Sequence, residues 1–194
     1  MAKGPRYRVP YRRRREGKTD YAARRIMATS ERPRYVVRAS NKNMVIQITT
    51  SKIEGDYVLA QANSRDLEKF GWLGGSKNIP AAYLLGMLTA RRALAKGIDR
   101  AILDLGLVKP TKGSKIFSAV KGAIDSGLHI PCDSEIMPDP SSIEGKKISE
   151  YADSIENPYL YERQFSGYLK RGLKPQDLPD HISQVKSKIE EAEI

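Results

Sequence analysis

Residues 34–63, RYVVRASNKNMVIQITTSKIEGDYVLAQAN, contain three stretches typical of β-strands. Apolar and polar side chains alternate over residues 34–40, residues 44–50 are rich in β-branched side chains, and residues 57–63 form the third stretch. The connections, Asn-Lys-Asn and Glu-Gly-Asp, are short and have turn-forming composition. Since short connections favour antiparallel pairing, the sequence predicts a three-stranded meander.

The hydrophobic period changes from two to 3.6 after this stretch. Residues 79–96 predict a long helix with Pro80 in its first turn and Gly97 directly after its end. Its first half is apolar nearly all round, which indicates deep burial. Residues 101–105 predict a buried strand and residues 115–126 a second helix. Elements in this order predict an α/β sandwich with a mixed sheet.

The segments on either side of this core differ from it in composition. Residues 1–18 contain glycine and prolines, lack an apolar face, and are predicted to form an extended arm. Residues 133–194 are interrupted by prolines, with short helices predicted at 144–154 and 181–192. We expect this extension to wrap on the core, residues 19–132, or on a partner.

A helix is predicted between the arm and the first strand. Thr19 is placed to be its N-cap, and the helix should end near Glu31 because Arg32 precedes a proline. Its two central arginines are expected to face outward. The inner face is expected to contain Ala22, Ala23, Ile26 and Met27. A last short edge strand is predicted at residues 129–131.

Positive charge is concentrated at the N-terminal end. The net charge is +11, and residues 1–42 carry all of it, with 14 Lys and Arg side chains against three acids. The other 152 residues hold 20 charges of each sign. A neutral body with a polycationic arm needs a polyanion, of which nucleic acid is the first candidate and an anionic membrane surface the second. The membrane is disfavoured because the arm has no amphipathic face to insert.

Tyrosines are interleaved with the arginines of the arm. Guanidinium groups bind phosphate oxygens in bidentate fashion and also stack on bases, and tyrosine rings add further stacking surfaces. A solvated tail or a localisation signal would explain the run Arg12–Arg15, but neither needs tyrosines at positions 7, 11 and 21. The arm therefore predicts nucleic-acid binding.

Two loops carry weaker signals. Residues 109–115 hold three lysines and place Gly113 and Ser114 before a helix N-terminus, which favours either a backbone-phosphate site or a solvated turn. The spacing does not match a Walker loop. The glycine-rich residues 70–78 contain Trp72, which either covers the edge of the core or lies on RNA. Both interpretations stay open for each loop.

Catalytic and metal-binding residue types are sparse. His129, Cys132 and His181 are too few for an ordinary zinc site, and we predict no metal and no cofactor. His129 and Cys132 as a base and a nucleophile would need a strand-to-helix elbow, so a buried or edge thiol is favoured instead. One cysteine, no apolar leader and no membrane-length apolar run lead us to expect a cytoplasmic protein.

Several stretches resemble one protein family. They are residues 34–41 (RYVVRASN), 60–64 (AQANS), 90–98 (ARRALAKGI) and 112–115 (KGSK). In this order and spacing they are similar to the large-subunit ribosomal protein conventionally numbered eighteen, the 5S rRNA-binding protein. The resemblance covers residues 19–129, and the basic arm and C-terminal extension resemble its archaeal-type form.

The resemblance implies a three-layer α/β/α sandwich around a mixed sheet, in which the antiparallel meander joins parallel βα units. It implies binding to 5S rRNA, attachment to 23S rRNA in the central protuberance, and neighbouring large-subunit ribosomal proteins as partners. Combining the resemblance with the charge pattern, we expect RNA contacts from Arg6, Tyr7, Arg8, Tyr11, Arg12, Arg13, Arg14, Arg15, Lys18, Tyr21, Arg24, Arg25, Arg34, Arg38, Ser40, Asn41, Lys42, Trp72, Lys77, Lys109, Lys112, Gly113, Ser114 and Lys115.

The sandwich also resembles the ribonuclease H architecture, whose metal-dependent cleavage needs clustered carboxylates, including one on the first strand. The first strand here offers Arg34 and Arg38 and no acid. Asp104 is a lone carboxylate, expected to cap a turn or to pair with a lysine. A nuclease is therefore not expected, and a free-standing RNA- or DNA-binding architectural protein is the main alternative.

Overall fold

The computed structural model describes residues 4–192 and contains a four-stranded mixed sheet of order β3-β2-β1-β4. The strands are β1 (Arg34–Ala39), β2 (Met44–Ser51), β3 (Asp56–Asn63) and β4 (Ile102–Asp104). β1–β2 and β2–β3 pair antiparallel, while β4 pairs parallel to β1. The predicted meander and the mixed sheet are confirmed.

Helices flank and follow the sheet. The α-helices are α1 (Arg12–Arg15), α2 (Tyr21–Thr29), α3 (Ile79–Leu94), α4 (Lys115–Asp125), α5 (Pro140–Ile143), α6 (Lys146–Asp153), α7 (Pro158–Leu169) and α8 (Leu178–Glu191). Short 3₁₀ segments are Ser64–Phe70, Ser134–Ile136 and Pro175–Asp177.

The three layers follow from the alternation of side chains along the strands. Tyr35, Val37 and Ile46 point to one face, are fully buried, and belong to the same core as α3 and α4. Tyr35 also donates a hydrogen bond to the Ala119 carbonyl oxygen of α4 at 3.0 Å. On the opposite face, α2 and the strands line one shared cleft. The expected α/β/α sandwich is confirmed.

Helix α3 is the centre of the core. The Asn78 side chain caps it by accepting from the Ala81 N–H at 2.9 Å, and Gly97 follows its end with φ 74°. The sheet, α4 and α8 surround it, so it is buried along nearly its whole length. It lies so close to α4 that a Cβ on Gly86 would meet the Ala119 carbonyl oxygen at 2.0 Å, and one on Gly122 would meet the Tyr83 carbonyl oxygen at 2.1 Å.

The outer edge of β3 is closed by two cations, one in the last turn of α3 and one just after its end. Lys96 Nζ donates to the Leu59 carbonyl oxygen at 2.6 Å, and Arg92 Nη1 donates to the Gln61 carbonyl oxygen at 2.7 Å. These contacts occupy backbone acceptors that an edge strand would otherwise offer to another chain.

The C-terminal extension packs on the core through α8. The apolar side chains Leu178, Ile182, Val185 and Ile189 are buried in the same cluster as the sheet and α3. His181 Nε2 accepts from the Leu73 N–H at 3.0 Å, and its ring stacks on Trp72 with centroids 5.4 Å apart. Burial, with the charge of Lys188, lowers the pKa of His181 and favours the neutral imidazole that this hydrogen bond requires.

The prediction for α2 was wrong in two respects. Its N-cap is Asp20, whose carboxylate accepts from the Ala22 and Ala23 N–H groups at 2.9 and 3.2 Å, and not Thr19. The helix ends at Thr29, close to the expected end near Glu31, but Ala22 and Ile26 of the expected inner face are exposed. The physical reason is the polar sheet surface below it, which attracts an arginine of α2 in place of an apolar stripe.

Other boundaries differ from expectation. Residues 129–131 form a single parallel bridge, Arg100↔His129, instead of a strand. The run Arg12–Arg15 forms one helical turn inside the arm that was predicted to be extended, and residues 1–3 of that arm lie outside the described residues. Helix α7 was not predicted, although Asn157, which caps it, and Pro158 in its first turn are a recognisable start signal.

We expect Gly122→Ala to lower the free energy of unfolding by about 1–3 kcal/mol, because its methyl group would overlap the α3 backbone. The matched control is Gly167→Ala in α7, whose Cβ would meet only the flexible end of Arg171 at 3.6 Å. Since alanine favours helix, the control should be neutral or stabilising by up to about 1 kcal/mol. Urea unfolding measures both, and equal stability of the two variants would contradict the packing argument.

Candidate nucleic-acid interface

The arm presents its cations to solvent. Every described residue from 4 to 18 is exposed. Glu16 contacts Lys18 at 2.9 Å and Arg12 at 3.7 Å, and Arg13 Nε donates to the Thr19 hydroxyl at 2.8 Å. Within the described part of the chain, no carboxylate lies within 4 Å of the other arm guanidiniums, so most of this positive charge is unneutralised.

The base of the arm is held by aromatic contact. The ring of Tyr11 lies 5.1 Å from that of Tyr21 at the start of α2, in a tilted arrangement. Tyr7 and Tyr11 are exposed, so their rings are available for stacking on unpaired bases. The structure thus brings the predicted residues 6–25 into one continuous cationic and aromatic segment.

Arg34 of β1 lies on the outer face of the sheet but is buried, with a side chain only 4% exposed. Its Nη1 donates to Asp104 Oδ2 of β4 at 3.2 Å, and its Nη2 lies 2.8 Å from Asp56 Oδ2 of β3. The guanidinium therefore spans the sheet from β4 to β3. This geometry does not support the RNA contact expected of Arg34, because its charge is directed to two internal carboxylates and covered from solvent.

Arg38 and Arg24 extend this network to the surface. Arg38 Nη2 donates to Asp104 Oδ1 at 2.7 Å with its side chain 46% exposed, and Arg24 Nη2 donates to Asp56 Oδ2 at 2.9 Å. Burial tends to raise the pKa of Asp56, but the hydrogen bonds and charges supplied by Arg34, Ser51 and Arg24 together outweigh it, so the pKa is lowered. Asp104 also accepts from the Gly106 N–H at 2.9 Å, so it caps a turn as expected but pairs with arginines and not with a lysine.

A cleft of about 420 Å³ separates the arm and α2 from the sheet. Its lining includes Val36 and Thr49 of the sheet and, from the arm and α2, Arg13, Lys18 and Arg24. The sequence places Asp56 in a turn, whereas in the structure it binds two arginines, Arg24 and Arg34. No sequence signal could have identified it, because its partners lie more than twenty residues away in the chain.

A second group of predicted residues meets at the β1–β2 hairpin. The hairpin turn is fixed by the Asn43 N–H donating to the Ser40 hydroxyl at 3.0 Å, and it exposes Asn41 and Lys42. Lys77 Nζ donates to the Asn41 carbonyl oxygen at 3.4 Å. The glycine-rich loop therefore brings a lysine to the hairpin.

The charge of Lys77 also acts on Lys115, the first residue of α4. Burial, followed by that charge, lowers the pKa of Lys115, and no carboxylate among the described residues lies within 4 Å of either ammonium group. Ser114 is the N-cap of α4 but its hydroxyl caps no N–H group. Lys109 and Lys112 are exposed, and Gly113 has φ 70°. We define Ser40–Asn43, Lys77 and residues 109–115 as the hairpin surface.

Trp72 is not available to RNA. Its side chain is buried, its indole N–H donates to the Gly75 carbonyl oxygen at 3.2 Å, and its ring packs on His181. Of the two interpretations left open by the sequence, the structure supports the one in which Trp72 covers the core edge. The sequence could not decide between the two, because the packing partner of Trp72 is His181 of α8, which is distant from it in the chain.

Within residues 4–192 there is no group of three or more acidic, histidine or cysteine side chains that could hold a metal ion. No described helix is both long and apolar enough to cross a membrane.

The fold and the interface define an α/β sandwich protein that exposes unneutralised cations on an arm and a hairpin. A model of the family described as ribosomal large subunit proteins 60S L5 and 50S L18 matches residues 5–101 and 95–133. Large ribosomal subunit protein uL18 of Caldivirga maquilingensis is 52% identical over 194 residues, which cover 98% of this chain and 94% of the relative. The same protein of Methanobrevibacter smithii is 50% identical over 193 residues, which cover all of both chains.

The chain belongs to the uL18 family of large-subunit ribosomal proteins. Members of this family are structural, non-enzymatic components of the ribosome. The family assignment inferred from the sequence motifs is confirmed.

We expect Asp104→Asn to lower the free energy of unfolding by about 3 kcal/mol, because it removes a carboxylate from the buried guanidinium of Arg34. The control is Asp99→Asn, whose carboxylate is exposed and 3.7 Å from an exposed arginine. Chemical unfolding followed by circular dichroism measures the two variants. If they are equally stable, the buried ion pair does not contribute as argued.

Proposed function

We propose that this protein is a structural constituent of the large ribosomal subunit that binds 5S rRNA and helps anchor it to 23S rRNA in the central protuberance. The relatives are named large ribosomal subunit proteins, which supports a place in that particle. The observation that carries the RNA-binding part is the arm, whose described residues 4–18 are all exposed and contain Glu16 as their one acid.

Binding by the arm is electrostatic. A cation that is solvated in the free protein gives up no internal ion pair when it contacts a phosphate. Each such contact also releases condensed counterions from the RNA. Because residues 4–18 make few contacts with the body, the arm becomes ordered on binding and can follow a groove or crevice between two RNA segments. Such contacts attach the protein firmly but carry little sequence information.

The hairpin surface supports selectivity for one RNA. Its turn is fixed by the Ser40 hydrogen bonds, and it presents the exposed side chain of Asn41 beside Lys42 and Lys77. A rigid polar group next to cations can hydrogen-bond to a base edge or a ribose while the lysines contact phosphates. We propose that this surface distinguishes 5S rRNA from other RNA.

The alternative is a free-standing RNA- or DNA-binding architectural protein, which the arm taken alone would favour. The two functions differ in the association of the protein with ribosomes. A ribosomal constituent should sediment with large subunits after a moderate-salt wash, and neighbouring large-subunit proteins should then be among its contacts. A free-standing protein should be released by the same wash.

Replacing Arg12, Arg13, Arg14 and Arg15 with Ala should weaken binding broadly, because these side chains contact phosphates. The slope of log K against log salt for 5S rRNA should become less steep by about 3, as expected for four lost phosphate contacts. Filter binding over a potassium chloride series measures the slope.

The matched control removes four cations that are already paired with acids, by changing Lys121, Lys146, Lys147 and Lys186 to Ala. This control should leave the slope unchanged. An unaltered slope in the arm variant would refute the proposal.

Asn41→Ala should reduce the preference for 5S rRNA about tenfold while leaving the affinity for an unrelated RNA of equal length unchanged, since it deletes a hydrogen-bonding group and no charge. The measurement is a competition between the two RNAs. Gln164→Ala, which removes an exposed amide from α7, is the control. Equal losses on both RNAs would count against a selective hairpin surface.

A further inference from the structure

We infer that the C-terminal extension, together with the glycine-rich loop, forms another binding site for the ribose-phosphate backbone of ribosomal RNA. The inference rests on the proposed function and adds a site to it. The site is built from three segments that the fold brings together, residues 64–78, 167–174 and 181–188. We call these segments the extension surface.

Contacts among the three segments are specific. Arg171 Nη1 donates to the Gly74 carbonyl oxygen, and Asn78 Nδ2 donates to the Tyr168 hydroxyl at 2.9 Å. The Leu73 N–H donates to His181 of α8. These bonds join the end of α7 and one side of α8 to the loop that precedes α3.

Cations accumulate where the segments meet. They are Arg65, Lys69, Lys77, Lys170, Arg171, Lys174 and Lys188. Lys186 is excluded from the extension surface, because it lines a different cavity with Glu144 and Lys146 and lies 4.0 Å from Glu190. The acids in the same segments are Asp66, which is bonded to Arg92 at 2.8 Å, and Glu68. A Cβ placed on Gly71 would lie 3.4 Å from Lys188 Nζ, so this lysine reaches over the loop from α8.

The pairing of these cations differs from that of other lysines in the extension. Lys146 and Lys147 lie 2.6 Å from Glu144 and 2.8 Å from Asp139. By contrast, no described carboxylate lies within 4 Å of Lys170, Lys174 or Lys188. Among the described residues, acids therefore neutralise Lys146 and Lys147 of the extension and leave Lys170, Lys174 and Lys188 unneutralised.

The guanidinium group of Arg171 is held in one orientation and is accessible to an anionic ligand. Its Nε donates to the Gly167 carbonyl oxygen at 2.8 Å and its Nη1 to Gly74, so two carbonyl groups fix the guanidinium while the residue remains exposed. A fixed arginine loses little conformational entropy when it binds a phosphate. Neither carbonyl neutralises its charge.

The composition of the surface favours RNA over an acidic protein. Protein interfaces need an apolar centre, and Leu169 is the one large apolar side chain in the three segments that is more than a third exposed, at 37%. The extension surface is also continuous with the hairpin surface through Lys77, which belongs to both. An RNA backbone on the hairpin surface would therefore continue onto cations of the extension.

The test uses the full-length protein with Lys170→Gln, Lys174→Gln and Lys188→Gln combined, which leaves the tethered Arg171 in place. The control combines Lys146→Gln, Lys147→Gln and Lys186→Gln, the same loss of charge from paired lysines of the same extension. Salt dependence of binding is measured with 5S rRNA and, separately, with 23S rRNA. Unfolding in urea checks that both variants are folded.

We expect the first variant to reduce the steepness of the salt dependence by about 2 on at least one of the two RNAs, as three lost phosphate contacts predict, and the control to leave it unchanged. Unchanged slopes on both RNAs, or equal changes in variant and control, overturn the inference. The arm variant is measured in parallel. If it alone loses slope, the proposed function stands and the extension surface does not; if the arm variant keeps its slope, the proposed function itself fails.

Discussion

The close contact between α3 and α4 is the constraint on which the rest of the structure depends. The two backbones touch at Gly86 and Gly122, where neither helix has room for a side chain. With α4 on one side and the sheet on another, α3 has no solvated face along most of its length.

The two ends of α3 organise different parts of the molecule. At its start, the capping Asn78 also donates to Tyr168, which sets the glycine-rich loop between the hairpin and α7. At its end, Arg91 donates to the Ile189 and Ala192 carbonyl oxygens at 2.6 and 2.9 Å, so it satisfies the last carbonyls of α8. Arg92 and Lys96 close the edge of β3. Basic residues here perform structural tasks and are not free for a ligand.

The protein thus contains two populations of cations. Several in the body, such as Arg91 and Lys96, bond to carbonyl groups, and Arg34 lies between two carboxylates, because a buried guanidinium is tolerated only when it is paired. Those of the arm and the hairpin surface have few protein partners. The same residue type therefore has opposite roles, and its surroundings determine which role it has.

The sequence by itself determined the meander, the burial of α3, the stop at Gly97 and the exposure of the arm, because these follow from local periodicity and from charge that no nearby acid can neutralise. It could not assign Arg34 or Trp72, whose roles depend on Asp56, Asp104 and His181, residues distant in the chain. The sequence also predicted the wrong inner face for α2. An amphipathic pattern shows which side of a helix is apolar, but it does not show whether the surface on which the helix packs is apolar too. Tertiary structure decided these points because pairing across the sheet and docking of α8 are contacts between segments that the order of residues does not bring together.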